Sequence, residues 1–396
     1  MTTKLRAASF QDNAVTTAKI AADAVTNAKI ADDAVQTENV ASTVNLGRRN
    51  LIINGAMQVA QRGTSFTSTA DLYTLDRFAI GHGTVNAMTV TQETDAPSGF
   101  QYSLKVLTGT GASSGAAGYG VLRQAIEGTN MYHLKFGTSD AESVTLSFYV
   151  KSSLTGTFAV SIRNQAGNRA FAATYTISSA NTWEYKTITI AGDTSGTWTA
   201  DTGIGLHVQF DLGAGSNYDI ATGAWTSGSN MFGGESTVKL TETTNATWFL
   251  TGLQVELGSV ATPFEHRSFG EELALCQRYY YKSMDGNPAD NIPNTDNTSS
   301  NGTFGIAMYS ATSGRTQYFQ HPVQMRADPS VTVYSSQRAN TSGKFGLFNQ
   351  SSWVATATSN PTVDINRITF SITHGSSLTA GYAYLLAGGF DANAEL

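Results

Sequence analysis

The chain has 396 residues, enough for two or three domains with sizeable cores, and its net charge of −6 comes with only 14% charged residues. No basic patch emerges, so nucleic acid is not an expected partner, and a single cysteine, Cys276, excludes an intrachain disulfide framework. No secretory h-region opens the sequence and no run of about eighteen apolar residues interrupts it, so neither a Sec signal nor membrane insertion is expected.

Residues 1–12 have no apolar period of their own and set Lys4 and Arg6 beside Leu5 and Phe10. That composition suits docking on another protein, and the segment is read as an attachment point. Residues 13–45 then repeat one ten-residue phrase, AVTTAKIAADAVTNAKIADDAVQTENV, with Val15, Ile20, Val25, Ile30, Val35 and Val40 in register. A step of five turns a helical side chain by roughly 140° and sends a strand side chain to the opposite face. Neither element buries all six residues on one side. β-Branched Val, Ile and Thr without leucine weaken the helical option further. A repeat this short cannot bury its own apolar residues, so partners must wind round a common axis. The segment is expected to be an extended oligomeric stalk, a trimer with these six residues at its axis.

Residues 46–266 read as an antiparallel β-sandwich, because glycine and abundant Ser, Thr and Asn separate short alternating runs. In VTLSFYVKS, Val144, Leu146, Phe148 and Val150 alternate with polar residues, which predicts a half-buried strand. Phe158, Val160 and Ile162 repeat the pattern, as do Leu206, Val208 and Phe210, and then Leu253, Val255 and Leu257. Between Gly192 and Gly234, Gly-rich turns hold Trp198, Tyr218, Trp225 and Phe232; such loops concentrate binding residues, and exposed rings stack on sugar faces. Those rings either bind a glycan or pin the loops, whereas Trp183 and Trp248 belong to alternating strands and are expected in the core.

Residues 267–302 predict a short helix and a linker. Ser268 and Glu271 form a capping box, followed by Phe269, Leu273, Cys276 and Tyr280 on one apolar face, with Cys276 a buried small hydrophobe. The polar run from 284 to 302, holding Pro288 and Pro293, marks the linker. Residues 303–396 read as a second, distal β-sandwich carried by Phe304, Ile306, Met308, Val331, Val333, Ile368, Phe370, Ile372, Tyr382, Tyr384 and Leu386. Its turns place Tyr318, Phe319, Arg338 and Trp353 among small polar residues, a mixture suited to glycan contact.

No constellation carries catalysis. The six histidines never adopt zinc-ligand spacing, so no metal is expected from them, and GTGASSG at 109–115 lacks the strand-to-helix context of a dinucleotide fingerprint. A glycosidase needs only two facing carboxyls. Asp211, Asp219 and Glu256 fall in strands and turns, where solvated roles are expected of them. The chain is read as non-enzymatic and without cofactor.

Several segments resemble phage tail fibres, particularly of marine and cyanobacterial phages: GRRNLIINGAMQVAQRGTS (47–65), LYTLDRF (72–78), VTLSFYVKSS (144–153), LTGLQVELGSVATPFEHRSFGEELALCQRYYYKS (250–283) and HPVQMRADPSVTVY (321–334). Repeats similar to AVTTAKIAADAV occur in such fibres too. The resemblance implies a virion-borne homotrimer attached to a tail protein at its N-terminus. It also implies a jelly roll similar to carbohydrate-binding modules and a distal receptor-binding tip that meets host-surface polysaccharide. In carbohydrate-binding jelly rolls an acid near the last strand can hold calcium; Glu256 is the nearest counterpart, without an obvious N-terminal partner ligand. The leading expectation is adsorption without glycan cleavage; a glycan-degrading tailspike and a purely structural connector are the alternatives.

Overall fold

The computed structural model describes residues 48–228, 232–235, 237–283, 303–335, 344–348, 353–374 and 378–396. The attachment segment, the stalk with Val15, Ile20, Val25, Ile30, Val35 and Val40, the run 284–302 and Arg338 lie outside the described residues. The remainder is mainly β.

Strands β1 (Ser65–Ser68), β2 (Leu72–Tyr73), β3 (Phe78–Gly83), β4 (Met88–Glu93), β5 (Ser103–Thr108), β6 (Tyr119–Glu127), β7 (Val144–Ser152) and β8 (Gly156–Arg163) come first. They are followed by β9 (Arg169–Ile177), β10 (Glu184–Ile190), β11 (Ile204–Asp211), β12 (Asp219–Ile220), β13 (Trp225–Ser227), β14 (Gly233–Gly234) and β15 (Thr247–Leu257). One antiparallel sheet has the order β1, β4, β5, β15, β7, β10, and a second the order β13, β9, β8, β11, β6, β3, β2. The alternating apolar residues of β7, β8, β11 and β15 share one core between them, in the manner of a sandwich. Trp248 is fully buried there and donates to the Tyr175 hydroxyl at 3.2 Å.

Two expectations for this sandwich need correction. Strand β7 is buried on both faces, because Phe100 and Phe264 lie over its outer side, with Phe100 5.4 Å from the Tyr149 ring. Trp183 is outside the core: it precedes β10, donates to Asp95 Oδ1 at 3.1 Å and lies beneath the Lys151 ammonium.

The helix α1 (Phe269–Gln277) begins with the complete capping box of Ser268 and Glu271. Its predicted face is only partly realised. Cys276 is buried with Ile53, Val59 and Tyr279, but Phe269 in the first turn is 57% exposed, and Tyr280 has left the helix for a strand. Burial pushes the Cys276 thiol well above its ordinary value. The native protein should therefore leave an aromatic disulfide reagent unreacted and titrate one thiol only after unfolding; rapid native reaction would mean that the helix does not cover Cys276.

Beyond α1 come β16 (Tyr280–Lys282), β17 (Thr303–Met308), β18 (Ser313–Thr316), β19 (Phe319–Gln320), β20 (Ser330–Ser335), β21 (Lys344–Phe348), β22 (Trp353–Val363), β23 (Arg367–Thr373) and β24 (Ala383–Asn393). The order runs β16, β24, β17, β18, β23, β22, β21, and β21 pairs with β24 as well as β22, so the strands curl round a core of Ile306, Phe345, Phe370, Leu386 and Phe390. Residues 383–387 of β24 pair with β17 and β21, and residues 388–393 with β16 and β20. The exchange happens at Gly388, whose φ of 148° and closeness to the Tyr334 carbonyl, 2.3 Å from where a Cβ would stand, admit no side chain.

This region grips the first sandwich through buried polar groups. Glu127, fully buried, accepts from Arg278 Nε at 3.0 Å and Nη2 at 2.6 Å and from the Tyr279 hydroxyl at 2.7 Å. Burial opposes its ionisation, yet these donors hold its carboxyl below the usual range. Glu395 reaches back between Arg62 and Arg77, bonded to Arg77 and 3.2 Å from Arg62, while those two guanidinium groups lie over Tyr280 and Tyr279.

Candidate functional site

The outer face of the seven-stranded sheet carries two hollows beside small residues of β3. Strand alternation sends Phe78 and Ile80 of β3, and Leu122 and Ile126 of β6, into the core, leaving Ala79, Gly81 and Gly83 outward beside Tyr119, Val121, Arg123 and Ala125. At Gly83 the Tyr119 ring occupies the place of the missing side chain, 2.3 Å from where a Cβ would stand. Glycine there lets an aromatic ring lie on the sheet. Gln209 of β11 stands opposite Arg123, and His207 opposite Arg163 of β8.

Two hollows meet at Arg123 and Arg163. One, of about 220 Å³, adds Tyr119, Val121, Gln209, Tyr218 and Phe232; the other, of about 200 Å³, adds Tyr73, Ala79, Ala125, Ile204, His207 and Leu396. The loop after β11 walls one end. Tyr218 and Phe232 stack at 4.8 Å, and Tyr119 meets both edge-on at 5.2 and 5.5 Å. Asp211 fastens this loop, its carboxylate accepting from the backbone of Gly213 at 2.8 Å and Ala214 at 2.7 Å and from Thr237 Oγ1 at 3.3 Å.

Positive charge gathers at the centre of a chain that is negative overall. Arg123 donates to the exposed Asp71 at 2.9 Å. Arg163 donates through Nε to Gln209 at 2.8 Å, and among the described residues no carboxylate pairs with it. Burial first, and then Arg123, pull its guanidinium down to about 10. His207 is only 7% exposed, and burial, followed by Arg163 and Arg123, keeps its imidazole neutral down to about 3. Its Nδ1 is buried without a hydrogen-bond partner. The groove thus offers ring faces at one end and donors in the middle.

The residues singled out from sequence are dispersed. Tyr218 belongs to the groove. Trp198 and Trp225 do not; they meet each other at 5.6 Å and Phe136 at 4.9 and 5.8 Å, with Nε1 donating to Ser195 O at 3.1 Å and Ala191 O at 2.7 Å respectively. Both rings therefore pin loops, and Trp198 also lines a separate cleft of about 400 Å³ with Tyr132, Lys135, Phe136, Thr138 and Asp140. Tyr318 is exposed, with the Arg367 guanidinium 4.2 Å above its ring. Phe319 is half-buried against Phe370 and Phe390 at 6.0 and 5.7 Å. Trp353 opens β22. Tyr119, Arg123, Arg163, His207 and Gln209 were not anticipated, although His207 and Gln209 are the polar partners of the alternation in GLHVQFD.

The acids are not the solvated groups expected of them. Asp211 and Glu256 are buried, at 1% and 2% exposure, because each is the acceptor that closes a turn. Both Glu256 oxygens are occupied: Oε1 accepts from Thr262 N at 2.8 Å and Gln254 Nε2 at 2.9 Å, and Oε2 from Thr262 Oγ1 at 2.6 Å. Asp219 is raised to about 6 by burial and then by Asp211. Among the described residues, no three His, Cys, Asp or Glu side chains converge as metal ligands.

No protein-family model and no curated protein matches the chain. Solved structures to which part of it is similar include the enzymatically active domain of bacteriophage CBA120 tailspike protein 4, at 16% identity and a TM-score of 0.29, over 52% of this chain and 21% of that one. A CBM4 structure is similar at 13% identity and a TM-score of 0.27, over 52% of this chain and 97% of that one. So is a family 11 carbohydrate-binding module from Clostridium thermocellum, in complex with a β-1,3-1,4-mixed-linked tetrasaccharide, at 13% identity and a TM-score of 0.26, over 51% of this chain and 98% of that one.

Proposed function

We propose that the protein is a homotrimeric phage tail fibre that adsorbs the virion to a host-surface polysaccharide and does not cleave it. The observation that carries the binding half of this reading is the groove itself: Tyr119 and Tyr218 at one end, and Arg123, Arg163 and Gln209 presented across three neighbouring strands. Rings that stack on sugar faces beside planar donors are what a saccharide needs, and a rigid sheet keeps them in place. The binding site is thereby proposed in the first sandwich, and region 303–396 with Tyr318 is the competing place. Tyr218→Ala should weaken binding of the full chain to its glycan about tenfold or more, with the fold retained because Phe232 still caps Val121. Glycan-array binding followed by calorimetry measures this; unchanged affinity would move the site to the Trp198 cleft or the C-terminal region.

The decad repeat and the sequence resemblance support trimer and tail attachment. Sedimentation equilibrium should give the mass of three chains, and Ile20→Asp with Ile30→Asp should make residues 13–45 protease-sensitive by burying unpaired charges at the axis. A monomeric mass overturns the stalk. A glycan-degrading fibre is the second reading, prompted by the raised Asp219 beside Asp211. Asp211 is already committed to holding the loop, which favours binding over hydrolysis. Release of oligosaccharides from the bound glycan, abolished by Asp219→Asn, would reverse that preference.

A further inference from the structure

From the juxtaposition of Arg163 and His207 on neighbouring strands, we infer that the groove selects an acidic polysaccharide, with a uronic-acid carboxylate seated between these two side chains and Arg123 beside it. The inference rests on reading the groove as a glycan site and adds the class of sugar to it. A neutral saccharide would satisfy the groove's aromatic end but leave its centre unexplained. There, the Arg163 guanidinium lines the hollow with its Nε given to the neutral Gln209 and no carboxylate paired with it among the described residues. His207 lines the same hollow at 7% exposure, with its Nδ1 shut away from it and without a hydrogen-bond partner among the described residues. A guanidinium drawn partly out of water with no acid beside it is offset best by an anion, so a site of this kind fits a negatively charged ligand.

A carboxylate is such an anion. Its two oxygens match the planar fork of Arg163, and the Arg123 guanidinium lies across the same hollow. Four other arginines are neutralised internally, Arg77 and Arg62 with Glu395, Arg169 with Asp193 and Arg267 with Glu265 and Glu272, and Arg326 is satisfied by three backbone carbonyls. Arg163 departs from that practice. Arg123 is satisfied in part by Asp71, which is 45% exposed and leaves the shared hollow net positive. Sequence order hides the arrangement, since Arg123, Arg163 and His207 come from three strands and converge only through the registers His207 to Arg163 and Gln209 to Arg123.

The test uses the full chain and paired probes: β-1,4-oligoglucuronate against the matching oligoglucose, and oligomannuronate and oligogalacturonate against their carboxyl-reduced forms. At least one uronate should bind roughly tenfold or more tightly than its reduced partner, the worth of a charge-assisted hydrogen-bond pair. Arg163→Gln should abolish that preference, bringing the uronate and its reduced partner to the same affinity, with near-UV circular dichroism matching the parent to certify the fold. His207→Gln should reduce the preference, and in the parent the imidazole ring resonances of His207 should move with uronate only. Reduced oligosaccharides binding as tightly as the acids, or a preference that survives Arg163→Gln, would overturn the inference and leave the groove a neutral-glycan site. Binding of no saccharide in either form would overturn the glycan reading along with it.

Discussion

Glu395→Ala is expected to cost about 3–5 kcal/mol of folding stability, the loss that follows when one member of a buried ion pair is removed and the other stays behind. The Glu395 side chain is only 4% exposed and sits between two guanidinium groups, Arg77 at 1% and Arg62 at 9% exposure. Burial, the largest single influence, would lower the Arg77 value, but Glu395 together with Tyr279 and Tyr73 outweighs it, so the net direction is upward. Arg77 also donates to the Ala125 carbonyl at 2.6 Å, which fixes the guanidinium in place. It cannot swing out to water when its acid disappears. Glu395→Gln keeps the shape and loses the charge, and should fall between parent and alanine variant. Urea unfolding, followed by tryptophan fluorescence, measures both; an alanine variant within about half a kcal/mol of the parent would mean that the pair breaks even with hydration. The same geometry means that a chain cut after Ser283 does not leave the first sandwich intact, because it strands Arg62 and Arg77 inside.

Trp248→Ala should cost a similar amount, about 3–5 kcal/mol, through cavity and transfer terms combined. The indole is fully buried among the inner faces of both sheets, its ring 5.2 Å from Phe210. It is also the donor to Tyr175, whose hydroxyl burial pushes upward and which would be left unpaired. Trp248→Phe fills most of the volume and loses the donor, so it isolates the polar share, about 1–3 kcal/mol. Equal losses for the two variants, again by urea unfolding, would show that the hydrogen bond rather than the volume decides the site.

The sequence made the sandwich legible where alternation is strict. Val144 to Val150, Phe158 to Ile162 and Leu206 to Phe210 name the core residues of three strands, because a period of two has one solution when one face is apolar. The same alternation named His207 and Gln209 as facing away from the core, yet it could not bring them to Arg123 and Arg163. Register between strands tens of residues apart comes from packing, not from spacing along the chain. Aromatic content in the loops misled for a related reason: Trp198 and Trp225 look exposed in a Gly-rich stretch, and three-dimensional proximity to Phe136 and Phe171 turns them into pins. Phe269 erred the other way, since helical spacing assigned it a buried face that the first turn of α1 does not have.

In β24, residues from four other strands find their partner. It is also the last strand of its region to be synthesised. Until residues 383–393 are made, β16 and β20 have no partner strand among the described residues, and β17 and β21 keep open the edge that β24 will take. The strands of the first sandwich pair among themselves and are free to form during translation, and β17, β18, β23, β22 and β21 also pair in succession without β24, whereas β16 and β20 find their partner in this sheet only once β24 arrives. Ribosome-bound chains stalled before Ala383 should therefore hold β16 and β20 as the segments that chaperones protect and proteases find, and release of about a dozen further residues should end both.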